Sequence, residues 1–567
     1  MAKNLEKNTT RKEEVNPIVV RTASIRIPYP LILLSAIVLL LYGSSINFGF
    51  TELDDTIFIN ETQAYNADLS NLAHSFQRGV FSDTNDTYYR PLLLDSFVLN
   101  HAISGTNVKG YHAMNVLFHL LAVLLLFMLF KRLNLEPWKA FLLTCLFAVH
   151  PVLSQAVAWI PGRNDTLLAI FSFAFMIGAL DYLRTGKWKF LLLQFACLLG
   201  ALFTKETAVF VAPAFLLLCI TMTEFHWKER KNLLLYATWF VAVLGWFALR
   251  SMATIKNDPI QFSTLATNFP IRLSLAVQYL GKIIFPFNLS VFPMLRETTY
   301  LFGILAIIAL AVMIWFAKGR NTKIILGGVG FFLLLLFPLF VLPSALNDQD
   351  FEHRLYMPVI GMLILLSQTV LFKNLNPKQT LYTVIGVCLL FVGINIMHQQ
   401  KFEDPLTFWT AAVNSTPKSS YANMMLAARL KKTEPAKADE LMRKAYEINP
   451  KEKYVNYYLG KDFLDKNAID SSEKYLLAEL KTSAYFDTYF LLSRIAFQKN
   501  DTAATQRYME QYLEKDPANG QAINNYILML TQSGQWKKAM DFITKKESEG
   551  IAIPSDLKNM VKQGLGK

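Results

Sequence analysis

The chain has 567 residues, of which 53% are hydrophobic, 13% aromatic and only 17% charged, with a mean hydropathy of +0.29. It is too long for one compact core, and its composition excludes an ordinary soluble enzyme and matches a membrane protein. The net charge of +13 requires no nucleic-acid partner, because the basic residues collect in short loops between apolar runs, as membrane topology demands.

The first 28 residues form a basic tail carrying Lys3, Lys7, Arg11, Lys12, Arg21 and Arg26. A polar stretch of this length, followed by an apolar run without a small-residue cleavage site, is not a cleavable signal. Residues 29–398 then alternate apolar runs with short charged loops. Spans of about 20 residues are predicted at 29–50, 111–130, 140–160, 165–183, 188–204, 206–223, 232–250, 298–317, 324–343, 356–372 and 379–397. With about eleven crossings, the basic loops at Lys131/Arg132/Lys139, Arg184/Lys187/Lys189, Lys228/Arg230/Lys231, Lys318/Arg320/Lys323 and Lys373/Lys378 all fall on one side, the cytosol. The apolar segment 268–297 would invert the later loops if it crossed, so it reads as interfacial or re-entrant. The four cysteines, Cys145, Cys197, Cys219 and Cys388, lie within apolar runs and read as small hydrophobes.

Beyond residue 398 the chain turns polar. Pro417, Pro450 and Pro517 are spaced by 33 and 67 residues, Ala484 fills the intermediate slot and Pro554 follows in phase. Small residues such as Gly460, Ala445 and Ala539 stand where paired helices would cross. A period of about 34 with a closing proline is the tetratricopeptide pattern, helical hairpins stacked into a solenoid that binds an extended peptide or partner protein, or serves as a spacer.

The connections on the non-cytosolic side carry the chemistry. The first, 51–110, holds Asp54, Asp55, Arg78, Asp83, Asp86, Tyr88, Tyr89, Arg90 and Asp95; the next runs from His150 through Arg163 to Asp165. A third carries Lys205 and Glu206, and a later one Asp350, Glu352, His353 and Arg354. Acids paired with cations in successive outer connections suit an anionic lipid head, whose phosphate the cations neutralise. Each has a plainer reading. Asp54-Asp55 suits a helix N-terminus, Arg163-Asn164-Asp165 a turn and helix start, Lys205-Glu206 an interfacial ion pair, and His150-Pro151 a helix stop with its imidazole reaching the surface. His112 and His119, on one helix face with Asn115, read as interhelical hydrogen bonds rather than metal ligands.

The runs LDDTIFIN, YYRPLLLDSFVLNHAISG, GYHAMNVLFHLLAVLLLF, HPVLSQAVAWIPGRND, FTKE and EHRLYMPVIG, in this order and followed by the repeats, resemble the transmembrane and tetratricopeptide-repeat-containing family of GT-C glycosyltransferases, related to the protein O-mannosyltransferases. The resemblance covers essentially the whole chain. It implies an all-α fold with a polytopic GT-C-type membrane domain at 29–398 and a tetratricopeptide-repeat solenoid at 399–567. It implies transfer of a sugar, with mannose expected, from a polyprenyl-phosphate carrier to Ser/Thr hydroxyls of proteins, with inversion.

The family's catalytic acid carries over to Asp54 or Asp55, and we lean to Asp55. Substrate and lipid-phosphate contacts are expected among Tyr89, Arg90, His150, Arg163, Asp165, Lys205, Glu206, Glu352, His353 and Arg354. No metal site is expected, although an adjacent acid pair is also the donor type for a divalent cation. Two departures stand out. Gln155 replaces the acid in the family's Thr-Glu-Ala-Val run, and His353 stands where an arginine is usual, with Arg354 displaced by one. A same-fold transferase acting on a lipid or glycan, and a non-catalytic scaffold displaying the repeats, are the alternatives. A transporter would show two related halves and mid-membrane charges. The expected location is a bacterial inner membrane with the repeats in the periplasm, or the endoplasmic reticulum membrane in a eukaryote.

Overall fold

The computed structural model describes residues 25–81, 86–223, 229–253, 262–341, 349–483 and 485–566. Most of the basic tail, together with Asp83, Lys228 and Ala484, lies outside them. Among the described residues the chain is all-α, with one isolated bridge between Met294 and Gln349.

Helices stand at each predicted span, but their lengths differ. Six are individually long and apolar enough to cross a membrane: Pro30–Asn47, Val108–Arg132, Ile160–Thr185, Lys231–Met252, Thr322–Phe340 and Pro377–Phe402. Pro137–Val149 and Pro151–Ala158 form a bent pair at 52°, and Trp188–Thr204, Glu206–Met222 and Leu301–Trp315 are shorter apolar helices. The predicted span 356–372 is broken into Val359–Leu366 and Val370–Lys373. The bend at Pro151 has a local cause, since proline has no N–H and disfavours helical geometry at the preceding His150, which is extended here. Segment 268–297 contains the end of Phe262–Leu273 and all of Leu275–Ile284, each too short to cross a bilayer alone. The second presses on Leu301–Trp315 through Gly281 and Gly303, where a Cβ on either would strike the facing backbone.

Several polar side chains within the bundle find partners on other segments, as an apolar medium favours. His112 bonds the Gly49 carbonyl (3.1 Å), and His119 bonds the Tyr356 hydroxyl (2.6 Å) and the Ala148 carbonyl (3.2 Å). His119 thus makes the predicted interhelical bond, to the helix Pro137–Val149, whereas His112 binds the extended strip at Gly49.

After Pro405–Ser415, the C-terminal part is a series of helical hairpins: Ser420–Leu430 with Pro435–Ile448, Val455–Asp465 with Ile469–Thr482, Asp487–Gln498 with Thr502–Lys515, and Gly520–Gln532 with Trp536–Ser548, closed by Ser555–Leu565. The prolines 417, 450, 517 and 554 each precede the first helix of a unit or the closing helix. Ala445 and Ala539 are fully buried, and a Cβ on Gly460 would meet Leu476 of the paired helix. The small residues let the hairpin helices approach closely.

The first hairpin is joined to the outer face of the membrane part by a mixed core. Phe48, Trp159 and Phe292 pack with Phe402, Phe408, Trp409 and Met425. Trp409 is fully buried and donates its indole N–H to the Thr51 carbonyl (3.0 Å), while Arg429 pairs with Glu52.

Candidate active site

The turn 51–56 separates the two aspartates. Asp55 is 1% exposed, and both of its oxygens are occupied by the turn itself. Oδ2 accepts from the Thr51 amide (2.5 Å) and hydroxyl (3.0 Å), Oδ1 from the amides of Leu53 (3.2 Å) and Thr56 (3.1 Å). Asp55 thus closes the turn ahead of Ile57–Glu61 and does not cap that segment, which no side chain caps. Asp54 is half-buried, and among the described residues no hydrogen bond or ion pair holds its carboxylate. Burial and the neighbouring Asp55 push its pKa up to about 6, against the opposing pull of Arg90 and Lys453.

Arg90 acts on Asp54 and also belongs to a group of cations gathered around Asp165. Arg90, at the start of Pro91–Ser104, donates Nε–H to Glu206 Oε2 (2.9 Å) and lies over the Tyr88 ring. The Tyr89 amide donates to Glu206 Oε1 (2.9 Å), so Glu206 fixes the direction of Arg90. The Tyr89 ring is itself buried, with its hydroxyl on the Phe76 carbonyl (2.9 Å). Lys205 donates to Asp165 Oδ1 (2.7 Å), with Asp165 in the first turn of Arg163–Thr185. Arg354 lies 3.7 Å from Asp350, and the charges of Arg90, Lys205 and Arg354 all reach Asp165. The arginine displaced by one position thus supplies the positive charge. His353 is buried against Phe351 and Trp159 and held neutral by burial and by the cations Lys205, Arg354 and Arg90, its pKa well below the usual value.

Three other predicted residues stand apart from this recess. Arg163 is fully buried and bonded to Asn115 Oδ1 (2.9 Å), Asn100 Oδ1 (3.0 Å) and the Tyr111 carbonyl (3.0 Å), over the Phe97 ring. His150 bonds the Ile283 carbonyl (2.9 Å) and accepts from the Val152 amide (3.3 Å); it is buried rather than reaching the surface. Glu352 is fully buried, accepting from Lys282 Nζ (2.6 Å) and the Ser290 amide (2.8 Å). Gln155 explains the missing family acid. Its Oε1 accepts from the amides of Glu352 (2.8 Å) and His353 (3.1 Å), while its Nε2 donates to the Val291 carbonyl (3.0 Å), which a carboxylate could not do.

Two residues escape the sequence reading. Lys453 and Tyr421 come from the repeats, more than 360 positions beyond Asp54, and both interact electrostatically with it. Only the register of Pro417 and Pro450, which places both residues near the starts of hairpins, hints at them. The donor set for a divalent ion is poor. Asp55 has no free oxygen facing Asp54, and no group of three or more His, Cys, Asp or Glu side chains is arranged to hold a metal among the described residues.

No family model matches the chain. Curated relatives do. Protein O-mannosyl-transferase Tmtc1 of Drosophila melanogaster is 31% identical over 181 residues, 31% of this chain and 21% of that protein. Human protein O-mannosyl-transferase TMTC2 is 42% identical over 97 residues, 17% of this chain and 11% of that one. Human TMTC4 is 23% identical over 470 residues, 70% of this chain and 58% of that one. The chain therefore spans about a fifth of the fly relative and just over half of TMTC4. Among solved structures, ArnT from Cupriavidus metallidurans bound to undecaprenyl phosphate aligns with a TM-score of 0.36 and 14% identity, covering 74% of this chain and 75% of that one. The chain, all-α among the described residues and with helices long and apolar enough to cross a membrane several times, is thus similar over part of its length to the TMTC protein O-mannosyl-transferases.

Proposed function

We propose that the protein is an inverting membrane glycosyltransferase. It moves a sugar, mannose by analogy with its named relatives, from a polyprenyl-phosphate carrier to Ser/Thr hydroxyls of a protein on the non-cytosolic side. The observation that carries this reading is Asp54, a carboxylate without a hydrogen-bond partner among the described residues, raised to about 6, beside Arg90 and next to the cation group. A general base works best with a pKa near the operating pH, and an unpaired oxygen is required to receive a proton.

In this mechanism the acceptor oxygen attacks the anomeric carbon and Asp54 takes its proton. The bond from that carbon to the phosphate oxygen breaks, leaving its electron pair on the polyprenyl phosphate. Arg90, Lys205 and Arg354 lie where the departing phosphate gains charge, and positive groups fixed beforehand stabilise that developing charge most effectively. Glu206 and Asp165 orient two of these cations. Asp55 holds the turn that aims Asp54, so the base is the first rather than the second acid of the pair. No metal enters the scheme, since the pair does not offer a divalent donor set. The hairpins are read as tetratricopeptide repeats that present the acceptor protein.

Purified protein with polyprenyl-phosphate mannose and Ser/Thr-rich peptides, read by mass spectrometry, tests the reading. A hexose gain on peptide supports it. Transfer only to a lipid or glycan, or no transfer from any donor tested, overturns it.

A further inference from the structure

A cavity of about 300 Å³ lies at the seam between the membrane part and the first repeats. Asn268, Arg272 and Arg296 wall it on one side; Tyr421, Asn449 and Glu452 wall it on the other. Asn268 and Arg272 are four residues apart on Phe262–Leu273 and so share a helix face. Arg272 is only 6% exposed, yet among the described residues its guanidinium has no ion pair or hydrogen bond, and Asn268 Nδ2 is buried without a partner. The arm of Arg272 is enclosed while its guanidinium opens onto the cavity, where it is free to meet an acceptor. Two unpartnered donor groups facing one cavity point to an anionic oxygen ligand.

The repeat side decides which anion. Its wall is built from the helix start at 419–421 and the turn at 449–452, which bring the first two repeats to the cavity. Tyr421 stacks on Phe292 and is close enough to Asp54 to feel its charge, so one residue borders both the cavity and the surroundings of the base. Resting on the proposed transferase reading, we infer that this cavity takes an Asp or Glu side chain of the acceptor polypeptide, and so selects hydroxyls flanked by acidic residues.

The test uses the full chain in detergent and a fluorescein-labelled Glu-Ser-Thr-Glu peptide against its Gln-Ser-Thr-Gln counterpart. Anisotropy is expected to show a preference of roughly tenfold for the acidic peptide, abolished by Arg272→Met and largely kept by Arg272→Lys. In the transfer assay the same preference appears in KM rather than kcat. Equal binding of both peptides by wild-type protein overturns the inference. So does displacement of the acidic peptide by inorganic phosphate or by phosphatidylglycerol vesicles but not by unlabelled acidic peptide, which would make this a phosphate site. A binding preference that Arg272→Met abolishes, in a protein that transfers no sugar, leaves the cavity assignment standing and removes the transferase reading.

Discussion

Two acid–cation clusters lie on the same side of the membrane part and use the same residue types, yet they are built for different ends. Around Glu352, Lys282 is 2% exposed at its side chain, His398 3%, and the carboxylate is surrounded by Lys282, the Ser290 amide and His398. Beside Asp54, the Arg90 side chain keeps 15% of its surface, and the carboxylate itself has no bonded partner among the described residues. A buried, closed pair specifies a fold; an open carboxylate beside fixed cations is chemistry held ready. Counting charges in the outer connections cannot separate the two. Asking how enclosed each cluster is does, because Glu352 too keeps one oxygen, Oε2, without a hydrogen bond, but keeps it out of reach of solvent.

The sharpest way to break this comparison is Asp54→Asn. It is expected to lower transfer by about 10²–10⁴-fold while the protein inserts and keeps its melting temperature, measured by peptide mass spectrometry and thermal unfolding. Full activity in this variant would return the role to another residue. Lys282→Met should do the reverse, costing about 3–5 kcal/mol of stability because Glu352 is left as an uncompensated buried charge, read by thermal unfolding in detergent. Asp55→Ala should destabilise the 51–56 turn by about 2 kcal/mol and reduce activity only through the misplaced loop, so that kcat falls far less than in Asp54→Asn. Arg354→Gln is expected to raise KM for the lipid donor by roughly tenfold.

The smallest effect is a pH dependence with opposite signs in two readouts. Activity should fall as pH drops through about 6, where Asp54 becomes protonated. Stability moves the other way. The native state holds this proton more tightly than the unfolded chain, so the Asp54 contribution declines as pH rises from about 4 through 6 and is flat above. Asp95, also raised to about 6 by burial, adds to that slope, and Asp54→Asn should leave only its share.

Much of this was legible beforehand. The apolar periodicity gave the helices, and the prolines gave the hairpin register, because both signals are local. The sequence pointed to the connection carrying Asp54, Asp55 and Arg90 but leaned to Asp55, whose oxygens the structure shows bonded within its own turn. What could not be read was which charge is satisfied. Arg163 stands in a run that looks functional, but its partners Asn100, Tyr111 and Asn115 come from two other helices. Asp55 and Asp54 differ only in which faces the amides of Leu53 and Thr56. These are distinctions of orientation over a few ångströms, invisible to spacing.

The indole of Trp409 hangs the Thr51 carbonyl from the first element of the repeat part. Modularity in this chain therefore ends at a definite place. Residues 509–561 have a core of their own, whereas Asp487–Gln498 still packs on the second hairpin through Leu491, Leu492 and Ile495. The segment 403–430 shares one hydrophobic core with the strip that carries Asp54. A graft made upstream of Trp409 is expected to displace the strip that carries Asp54, whereas one made beyond Gln498 would leave that strip and its supporting core intact.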